Sequence, residues 1–336
     1  MIEIIKALFN KYLYRDPLII EIDIINFFFK HHKIKKKDIE YYIKSTNEYK
    51  IIYKNNNILN NIYNFYLKRN IDNNTLLLLK NKDLEYNNLI KNIKLSNEYL
   101  YKNINIKIWN NFINNIKNNN QITIKKNSNF NCIIVEPRNH NHLMKIVYQF
   151  AKVLGDKFQM QIFHGNKNIE LIENIKKMII NVKTINLNID NLTIYEYSEL
   201  LKKKSFWNNV EGENILVFQT DTYIFKNFPN KYFKYDFIGA PWKEINNISK
   251  TVIGNGGLSL RKKSSMLNII DKYEDIDEIN EDVYFCKYFK LDNYLLPEFN
   301  IAKKFCVENV FFENPYGLHK PYIELKCSQL SKILNY

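Results

Sequence analysis

The sequence predicts an α/β fold, with helices on both faces of a parallel sheet and a mostly helical domain in front of it. Three observations lead to this prediction. After residue 130, short apolar runs alternate with segments whose apolar residues recur at helical spacing. Each apolar run has the length of a buried strand, and this alternation implies a parallel sheet. The part of the chain before residue 117 has few Gly or Pro residues and a patchy helical period.

The predicted elements follow one another closely between residues 130 and 221. Four strands are expected at 132–135, 158–163, 184–189 and in the run that ends at Asp221. Three helices are expected between them, at 142–154, 169–179 and 194–204. After Asp221 the pattern changes to short, irregular, turn-rich segments, which we expect to form the loops of a site.

The chain is expected to divide near residues 117–130, where polar segments without periodicity predict a linker. We therefore predict a mostly helical accessory domain at 1–125 and an α/β domain at 130–336. Apolar residues at helical spacing around Tyr86 and Trp109 indicate helices in the accessory domain. Its residues do not indicate a role.

The composition is typical of a globular protein, since 46% of the 336 residues are hydrophobic. The formal net charge of +14 comes from lysines spread along the chain, so biased codon usage explains it as well as nucleic-acid binding does. Four isolated Cys residues without zinc-type spacing are expected to be small buried hydrophobes in a reducing compartment. No signal peptide or membrane span is predicted, so a cytoplasmic protein is expected.

The segment 214–225, NILVFQTDTYIF, is the most informative part of the chain. A short apolar run is interrupted by Gln219, Thr220 and Asp221 and then resumes. If the run is a buried strand, Asp221 lies at its carboxyl end, the edge where open α/β sheets bind ligands. A carboxylate there is costly unless it is paired, and a divalent cation that holds phosphates would pair it. The alternative is that Asp221 caps a turn.

Five segments follow one another in order after residue 130: Glu136-Pro137-Arg138, Gln219-Thr220-Asp221, IGNGGLSLR at 253–261, NEDVYF at 280–285 and GLHKPY at 317–322. Together they resemble nucleotide-sugar glycosyltransferases of the GT-A fold, and most closely a related family with a domain of unknown function. The resemblance covers roughly residues 130–323. It implies a GT-A-like, Rossmann-type mixed sheet flanked by helices.

The resemblance also implies a metal site beside a diphosphate site. Asp221 matches the last carboxylate of the metal-binding DxD motif, and His319 matches a late histidine that completes the metal site in several GT-A families. Gln219 replaces the first Asp of the motif, so metal affinity is expected to be lower, or metal dispensable. Lys320 is placed to meet a phosphate as a point charge. The expected cofactor is Mn²⁺ or Mg²⁺, whereas the alternative makes His319 an ordinary surface histidine.

Two acidic residues match the carboxylate pair that supplies the base in inverting transferases. Asp282 is expected to take the proton of the attacking hydroxyl, and Glu281 to bind the donor sugar or the acceptor. The alternative is an acidic helix N-terminus. Gly256 and Gly257 are expected in a loop that lines the sugar pocket through positive φ and close approach, or else in a plain tight turn.

Glu136 and Arg138 are expected where the nucleotide base and phosphates lie. The expected function is transfer of a hexose from a nucleotide-diphosphate sugar, UDP-linked, to a hydroxyl of a glycan, protein or small molecule. We expect this transfer to be metal-assisted and inverting. Two alternatives stay open: a nucleotide-sugar-binding or nucleotidyltransferase-like protein without glycosyl transfer, and a basic nucleic-acid-binding protein.

Overall fold

The computed structural model of this protein describes residues 2–13, 36–45, 96–273 and 279–335, together with scattered residues between 17 and 94. The chain forms two compact units, Met1–Leu100 and Tyr101–Tyr336. The second unit thus begins before the predicted linker, and the predicted domain division at 125–130 stays a prediction. Of the residues with helical spacing near Tyr86, Leu89, Ile90 and Ile93 are helical, and Tyr86 itself lies outside the described residues.

In the first unit, the described elements are helix α1 (Ile2–Leu13) and helix α2 (Lys36–Ser45). Apolar residues three and four positions apart lie on one side of each helix. Together with Ile25, which lies between the two helices in sequence, they form a small core: Ile5, Leu8, Phe9, Ile39 and Ile43. The described part of this unit is therefore helical, as predicted.

The second unit contains most of the described elements. Its helices are α3 (Asn97–Asn114, which begins in the first unit), α4 (Leu143–Leu154), α5 (Ile169–Met178), α6 (Ile194–Leu201), α7 (Lys204–Asn208), α8 (Lys263–Lys272), α9 (Glu281–Leu291), α10 (Phe299–Phe305), α11 (Pro321–Glu324) and α12 (Cys327–Leu334). Its strands are β1 (Ile122–Thr123), β2 (Phe130–Glu136), β3 (Gln159–His164), β4 (Ile179–Ile180), β5 (Lys183–Asn186), β6 (Asn214–Phe218), β7 (Thr222–Ile224), β8 (Phe237–Pro241), β9 (Ile253–Lys262), β10 (Cys306–Val307) and β11 (Gly317–His319).

The main sheet is six-stranded and mixed, in the order β5-β3-β2-β6-β9-β8. The four strands predicted before Asp221 are parallel, while β9 runs antiparallel to both β6 and β8. Successive residues of β2 enter different cores: Cys132 and Ile134 pack into one, Ile133 and Val135 into the other. Because strand side chains alternate between faces, helices cover both sides of the sheet. The predicted α/β class is confirmed.

The topology places a crevice between β2 and β6. The chain goes from β2 outward to β3 and β5, and then returns to β6 on the other side of β2. Ligands of open α/β sheets bind at such a reversal of strand order, beyond the carboxyl ends of the strands. Glu136 ends β2, and Asp221 follows the end of β6 by three residues. The two predicted motifs therefore lie at the same edge.

A second, three-stranded sheet has the order β10-β11-β7. Strand β7 follows β6 after the turn Gln219–Asp221, so this turn lies at the junction of the two sheets. In the antiparallel pairing of β7 with β11, His319 lies opposite Thr222. This register brings His319 next to Asp221, although the two residues are far apart in sequence.

Between the two polar segments of the predicted linker lies β1, which pairs with β4, and Ile124 after it is buried. One local prediction is wrong. The predicted glycine loop or tight turn is part of β9, a ten-residue strand. Gly256 and Gly257 do not have positive φ; positive-φ glycines among the described residues are Gly212 and Gly254.

Candidate active site

Three side chains converge at the end of β6. The Nε2 atom of His319 lies 3.6 Å from Asp221 Oδ1 and 3.2 Å from Gln219 Oε1. Asp221 Oδ1 is buried and makes no hydrogen bond. An unpaired buried carboxylate oxygen is rare and costly, and the polar group nearest to it in this cluster is the His319 imidazole. The structure thus brings together Asp221, Gln219 and His319, which the sequence placed in one site.

Lys320 belongs to the same cluster. Its Nζ lies 3.8 Å from Asp221 Oδ2, and its backbone N–H donates to the Asp221 carbonyl oxygen at 3.0 Å. The residue has the left-handed conformation, with φ 44° and ψ 39°, and precedes Pro321 at the start of α11. Its side chain is 37% exposed, so the ammonium remains accessible beside the carboxylate.

Glu136 and Arg138 form one unit at the end of β2. Arg138 donates from Nε and Nη2 to the two oxygens of Glu136, at 2.8 and 2.7 Å. Hydrogen bonding to Glu136 raises the pKa of Arg138. The Glu136 side chain is 4% exposed, whereas that of Arg138 is 55% exposed. Asn168 fixes the loop by donating to the carbonyl oxygens of both residues. The Arg138 guanidinium is therefore accessible to a ligand, whereas both oxygens of Glu136 already accept hydrogen bonds from it.

A cavity of about 340 Å³ lies at this edge of the sheet. It is lined by residues from segments 135–138, 192–197 and 219–221, together with Lys320. Its charged groups are two cations, Arg138 and Lys320, and two carboxylates, Glu136 and Asp221. Five of the ten predicted site residues thus share one cavity, and its lining does not include the other five: Gly256, Gly257, Glu281, Asp282 and His319.

Tyr197, which sequence analysis missed, also lines this cavity. Its hydroxyl is buried without a hydrogen bond of good geometry. Burial and then the charge of Glu281 raise the pKa of Tyr197 above its usual range, and Asp221 adds to this effect. The hydroxyl therefore lies within electrostatic reach of both predicted carboxylate sites. The position of Tyr197 on one face of α6 gave no sequence signal beyond helical periodicity.

The second predicted carboxylate pair lies at the N-terminus of α9. Glu281 is bound by Arg261 through two hydrogen bonds, of 2.6 and 3.0 Å. The guanidinium, which is fully buried, also donates to Ser259 Oγ and to the Gly256 carbonyl oxygen. Burial lowers the pKa of Arg261, but the charge and hydrogen bonds of Glu281 outweigh it, so the pKa is raised. Both oxygens of Glu281 are occupied, and its predicted contact with a sugar stays a prediction.

Asp282 is the member of the pair that has no such cationic partner. Its oxygens accept backbone N–H groups from Gly256 and Val283, at 3.2 and 2.8 Å. Burial, together with the adjacent charge of Glu281, raises the pKa of Asp282 to about 7. The side chain is nevertheless partly accessible. A carboxylate with these properties can exchange a proton near neutral pH.

Close packing explains the two glycines of β9. A Cβ atom on Gly256 would lie 2.4 Å from Glu281 Oε1, and one on Gly257 would lie 2.1 Å from His319 Nε2. Neighbouring residues of a strand face opposite sides. Strand β9 thus passes between the Glu281 ion pair and the His319 imidazole, and only glycine leaves room for both.

Among the described residues, no group of three or more His, Cys, Asp or Glu side chains is arranged to hold a metal ion. Cys132, Cys286 and Cys306 are buried free thiols, as expected, whereas Cys327 is partly exposed. Within the same part of the chain, no helix has the length and apolarity needed to cross a bilayer.

The sequence model of DUF5672, a protein family of unknown function, matches residues 180–319. The match contains Asp221, Asp282 and His319 but begins after Glu136 and Arg138. No curated protein matches this chain.

Comparison with solved structures finds distant similarity to glycosyltransferases. The apo-form glycosyltransferase GlyE of Streptococcus pneumoniae TIGR4 is 12% identical, with a TM-score of 0.39 over 61% of this chain and 62% of that one. The galactosyltransferase LgtC, in complex with donor and acceptor sugar analogues, is 9% identical, with a TM-score of 0.35 over 47% of this chain and 70% of that one. The match therefore spans less than two thirds of GlyE.

Proposed function

We propose that this protein is a metal-assisted glycosyltransferase that moves a hexose from a nucleotide-diphosphate sugar to a hydroxyl acceptor. A UDP-sugar is the donor that we would test first. One observation carries the proposal. The buried, unpaired Asp221 Oδ1 lies 3.6 Å from His319 Nε2 at the switch point of the sheet, and Asp221 lines a cavity that also presents two cationic side chains.

The cavity suits the diphosphate end of such a donor. Arg138 and Lys320 supply positive charge at its wall, and the Tyr197 hydroxyl supplies a buried donor that makes no hydrogen bond of good geometry. Phosphate oxygens accept hydrogen bonds from guanidinium and ammonium groups. We assign Arg138 and Lys320 to phosphate contacts, and Glu136 to holding the Arg138 guanidinium.

The residues at the end of β6 fit a divalent cation that is shared with the donor. Ligand oxygens lie about 2.0–2.6 Å from Mg²⁺ or Ca²⁺. The 3.6 Å between Asp221 Oδ1 and His319 Nε2 therefore suits two ligands of one cation. Gln219 offers a neutral amide oxygen, so the protein supplies few ligands, and phosphates and water would complete the shell. When bound, the cation neutralises charge on the leaving diphosphate.

Asp282 is the group that we assign to proton transfer. The acceptor oxygen forms a bond to the anomeric carbon while the bond from that carbon to the diphosphate oxygen breaks, and its electron pair leaves with the nucleotide. The acceptor proton passes to the Asp282 carboxylate. A base with a pKa of about 7 suits this step at neutral pH. We propose inversion, because this assignment requires no covalent intermediate, and we assign Glu281 to the buried ion pair with Arg261, whose guanidinium also binds the Gly256 carbonyl oxygen.

The first test is a thermal-shift panel of nucleotide-diphosphate sugars with and without Mn²⁺. A ligand that binds the native state raises the melting temperature. We expect a metal-dependent shift with at least one UDP-sugar, and we expect Asp221→Ala to abolish it. Asp271→Ala is a matched control, because that carboxylate is 52% exposed and pairs with Lys204. No shift with any donor would contradict the proposal.

A second assay separates transfer from binding alone. Release of nucleoside diphosphate is followed by mass spectrometry, with and without a panel of sugar, peptide and small-molecule acceptors. Asp282→Asn should keep the donor-induced thermal shift and lose transfer. Donor binding without hydrolysis or transfer would favour a nucleotide-sugar-binding protein, which the replacement of the first Asp by Gln219 also allows.

A further inference from the structure

The imidazole of His319 is enclosed on several sides. Its side chain is 4% exposed, and Gly257 packs against the ring, where a Cβ atom would lie 2.1–2.5 Å from three ring atoms. Nε2 faces Asp221 and Gln219. Nδ1 is buried without a hydrogen bond of good geometry, and it lies 3.3 Å from Glu308 Oε1. A buried ring nitrogen requires a partner, and Glu308 is within reach.

A hydrogen-bond chain fixes the orientation of Glu308. The backbone N–H of Gly257 donates to Asn255 Oδ1 at 3.1 Å. Because a backbone N–H can only donate, it determines which end of the Asn255 amide is oxygen. The Asn255 Nδ2 group therefore faces Glu308 and donates to its Oε2. The other oxygen, Oε1, is left for His319 Nδ1.

This chain has a consequence for the protonation of His319. A carboxylate can only accept, so the nitrogen that faces Glu308 carries the hydrogen. In the neutral ring, Nε2 then presents a lone pair. That lone pair lies 3.6 Å from the unpaired Asp221 Oδ1, and in the metal-free protein it accepts from the Gln219 amide, 3.2 Å away, which turns its NH₂ group to the ring. A carboxylate behind a histidine is the usual outer partner of a metal-bound imidazole.

We propose that Glu308 and Asn255 are positioning residues that hold the proton of His319 on Nδ1, so that Nε2 and Asp221 are ready to bind a divalent cation. The inference rests on the proposed function, because that function supplies the cation. Neither residue belongs to a motif that the sequence singled out for metal binding. Glu308 follows β10, and the parallel pairing of β10 with β11 brings it to His319.

The variant Glu308→Gln tests the inference sharply. Asn255 still presents its N–H group, so the oxygen of the new amide turns to Asn255 and the new NH₂ group faces His319 Nδ1. That NH₂ group donates to Nδ1, which forces the hydrogen onto Nε2 and removes the lone pair. We expect Mn²⁺ binding to weaken about 10–100-fold, the range for loss of an outer-shell partner.

The double variant Asn255→Asp/Glu308→Gln should restore binding. Here the new carboxylate at position 255 would accept from both Gly257 N–H and the new amide, so the amide oxygen turns back toward Nδ1. This exchange keeps the size of both side chains and the net charge of the wild type. Glu313→Gln is the matched control, since it removes a carboxylate that is 51% exposed and pairs with Lys332.

Binding of Mn²⁺ is measured by electron paramagnetic resonance, with Mn²⁺ alone and with Mn²⁺ and UDP, and melting temperatures check folding. Weaker Mn²⁺ binding in Glu308→Gln, together with recovered Mn²⁺ binding in the double variant, supports the inference. Wild-type affinity in Glu308→Gln, or equal loss in both variants, overturns it. The tautomer of His319 in the wild type, read from ¹⁵N chemical shifts, is a test without any variant, and a hydrogen on Nε2 overturns it too.

These results also separate the inference from the proposed function. If the wild type binds no Mn²⁺ under either condition, the inference fails together with the metal part of the proposal. Donor binding and transfer in the absence of metal would still support the proposed glycosyltransferase activity. If the wild type binds Mn²⁺ and Glu308→Gln binds it equally well, only the inference fails.

Discussion

Replacing Asp282 with Asn should remove a pH dependence of stability that its buried carboxyl group imposes. The pKa of Asp282 rises from 3.8 to about 7 in the folded chain, because burial and then the charge of Glu281 disfavour ionisation. Between these two values the native state binds more protons at this group than the unfolded state does. The free energy of unfolding therefore falls as the pH rises through this window.

The size of the effect follows from the pKa shift. A shift of about three units at about 1.4 kcal/mol per unit gives about 4 kcal/mol as an upper value. Asp282 keeps partial solvent contact, so we expect about 2–3 kcal/mol of stability to be lost in the wild type between pH 4 and pH 8. The Asn variant should lack this loss.

Urea unfolding of both proteins at several pH values measures the effect. Asn accepts only one of the two backbone N–H groups that Asp282 binds, which costs about 1 kcal/mol at every pH. This cost cancels when the change between pH 4 and pH 8 is compared. Asp190→Asn, which removes a carboxylate that is 56% exposed, is the control. The wild type should lose more unfolding free energy between pH 4 and pH 8 than the Asn variant does. A difference between the two proteins below about 0.5 kcal/mol, or one of opposite sign, would refute the assignment of a raised pKa to Asp282.

Three further predictions concern neighbouring residues. Gly257→Ala should displace the His319 ring and abolish the Mn²⁺-dependent thermal shift, because its Cβ would lie 2.1 Å from Nε2; an unchanged shift would contradict this. Arg261→Met should lower the unfolding free energy by about 3–5 kcal/mol in urea titrations, since it leaves Glu281 buried and unpaired, and adding Glu281→Leu should recover part of the loss. Arg138→Ala should weaken nucleoside-diphosphate binding about 10–100-fold by calorimetry, through loss of an accessible charged donor, and unchanged affinity would place the phosphates elsewhere.

The activity of the proposed enzyme should follow the same titration. Asp282 must be deprotonated to accept a proton, so the transfer rate should rise with pH and level off above about 7. The rate of nucleotide release, measured over a series of pH values with saturating donor and acceptor, shows this rise. A rate that is flat from pH 5 to pH 8 would exclude Asp282 as the base.

Local sequence patterns were sufficient for the four strands and three helices predicted between residues 130 and 221, but not for the short elements β1, β4 and α7. Strand β2 was predicted at 132–135 and extends over 130–136, and helix α4 was predicted at 142–154 and extends over 143–154. Buried parallel strands and amphipathic helices have apolar patterns that depend only on near neighbours. The same patterns placed Glu136 and Asp221 at strand ends, and hence at one edge of the sheet.

Other features depended on residues that are distant in the chain. The glycines of β9 were predicted to form a loop, because a run of glycines carries no strand pattern. Glycine is required at these two positions because the Glu281 ion pair lies on one side of the strand and the His319 ring on the other. Only the fold brings these groups to the strand. Glu281 looked like a free carboxylate, but Arg261 occupies both of its oxygens.

Local patterns in the sequence specify the alternation of strands and helices between residues 130 and 221, the carboxylate that follows β6 and the acidic pair Glu281 and Asp282. The tertiary structure decided which of these groups meet. The register of β7 with β11 places His319 beside Asp221, and the pairing of β10 with β11 brings Glu308 behind the ring. Strand register depends on pairing between distant segments, which no window of sequence records.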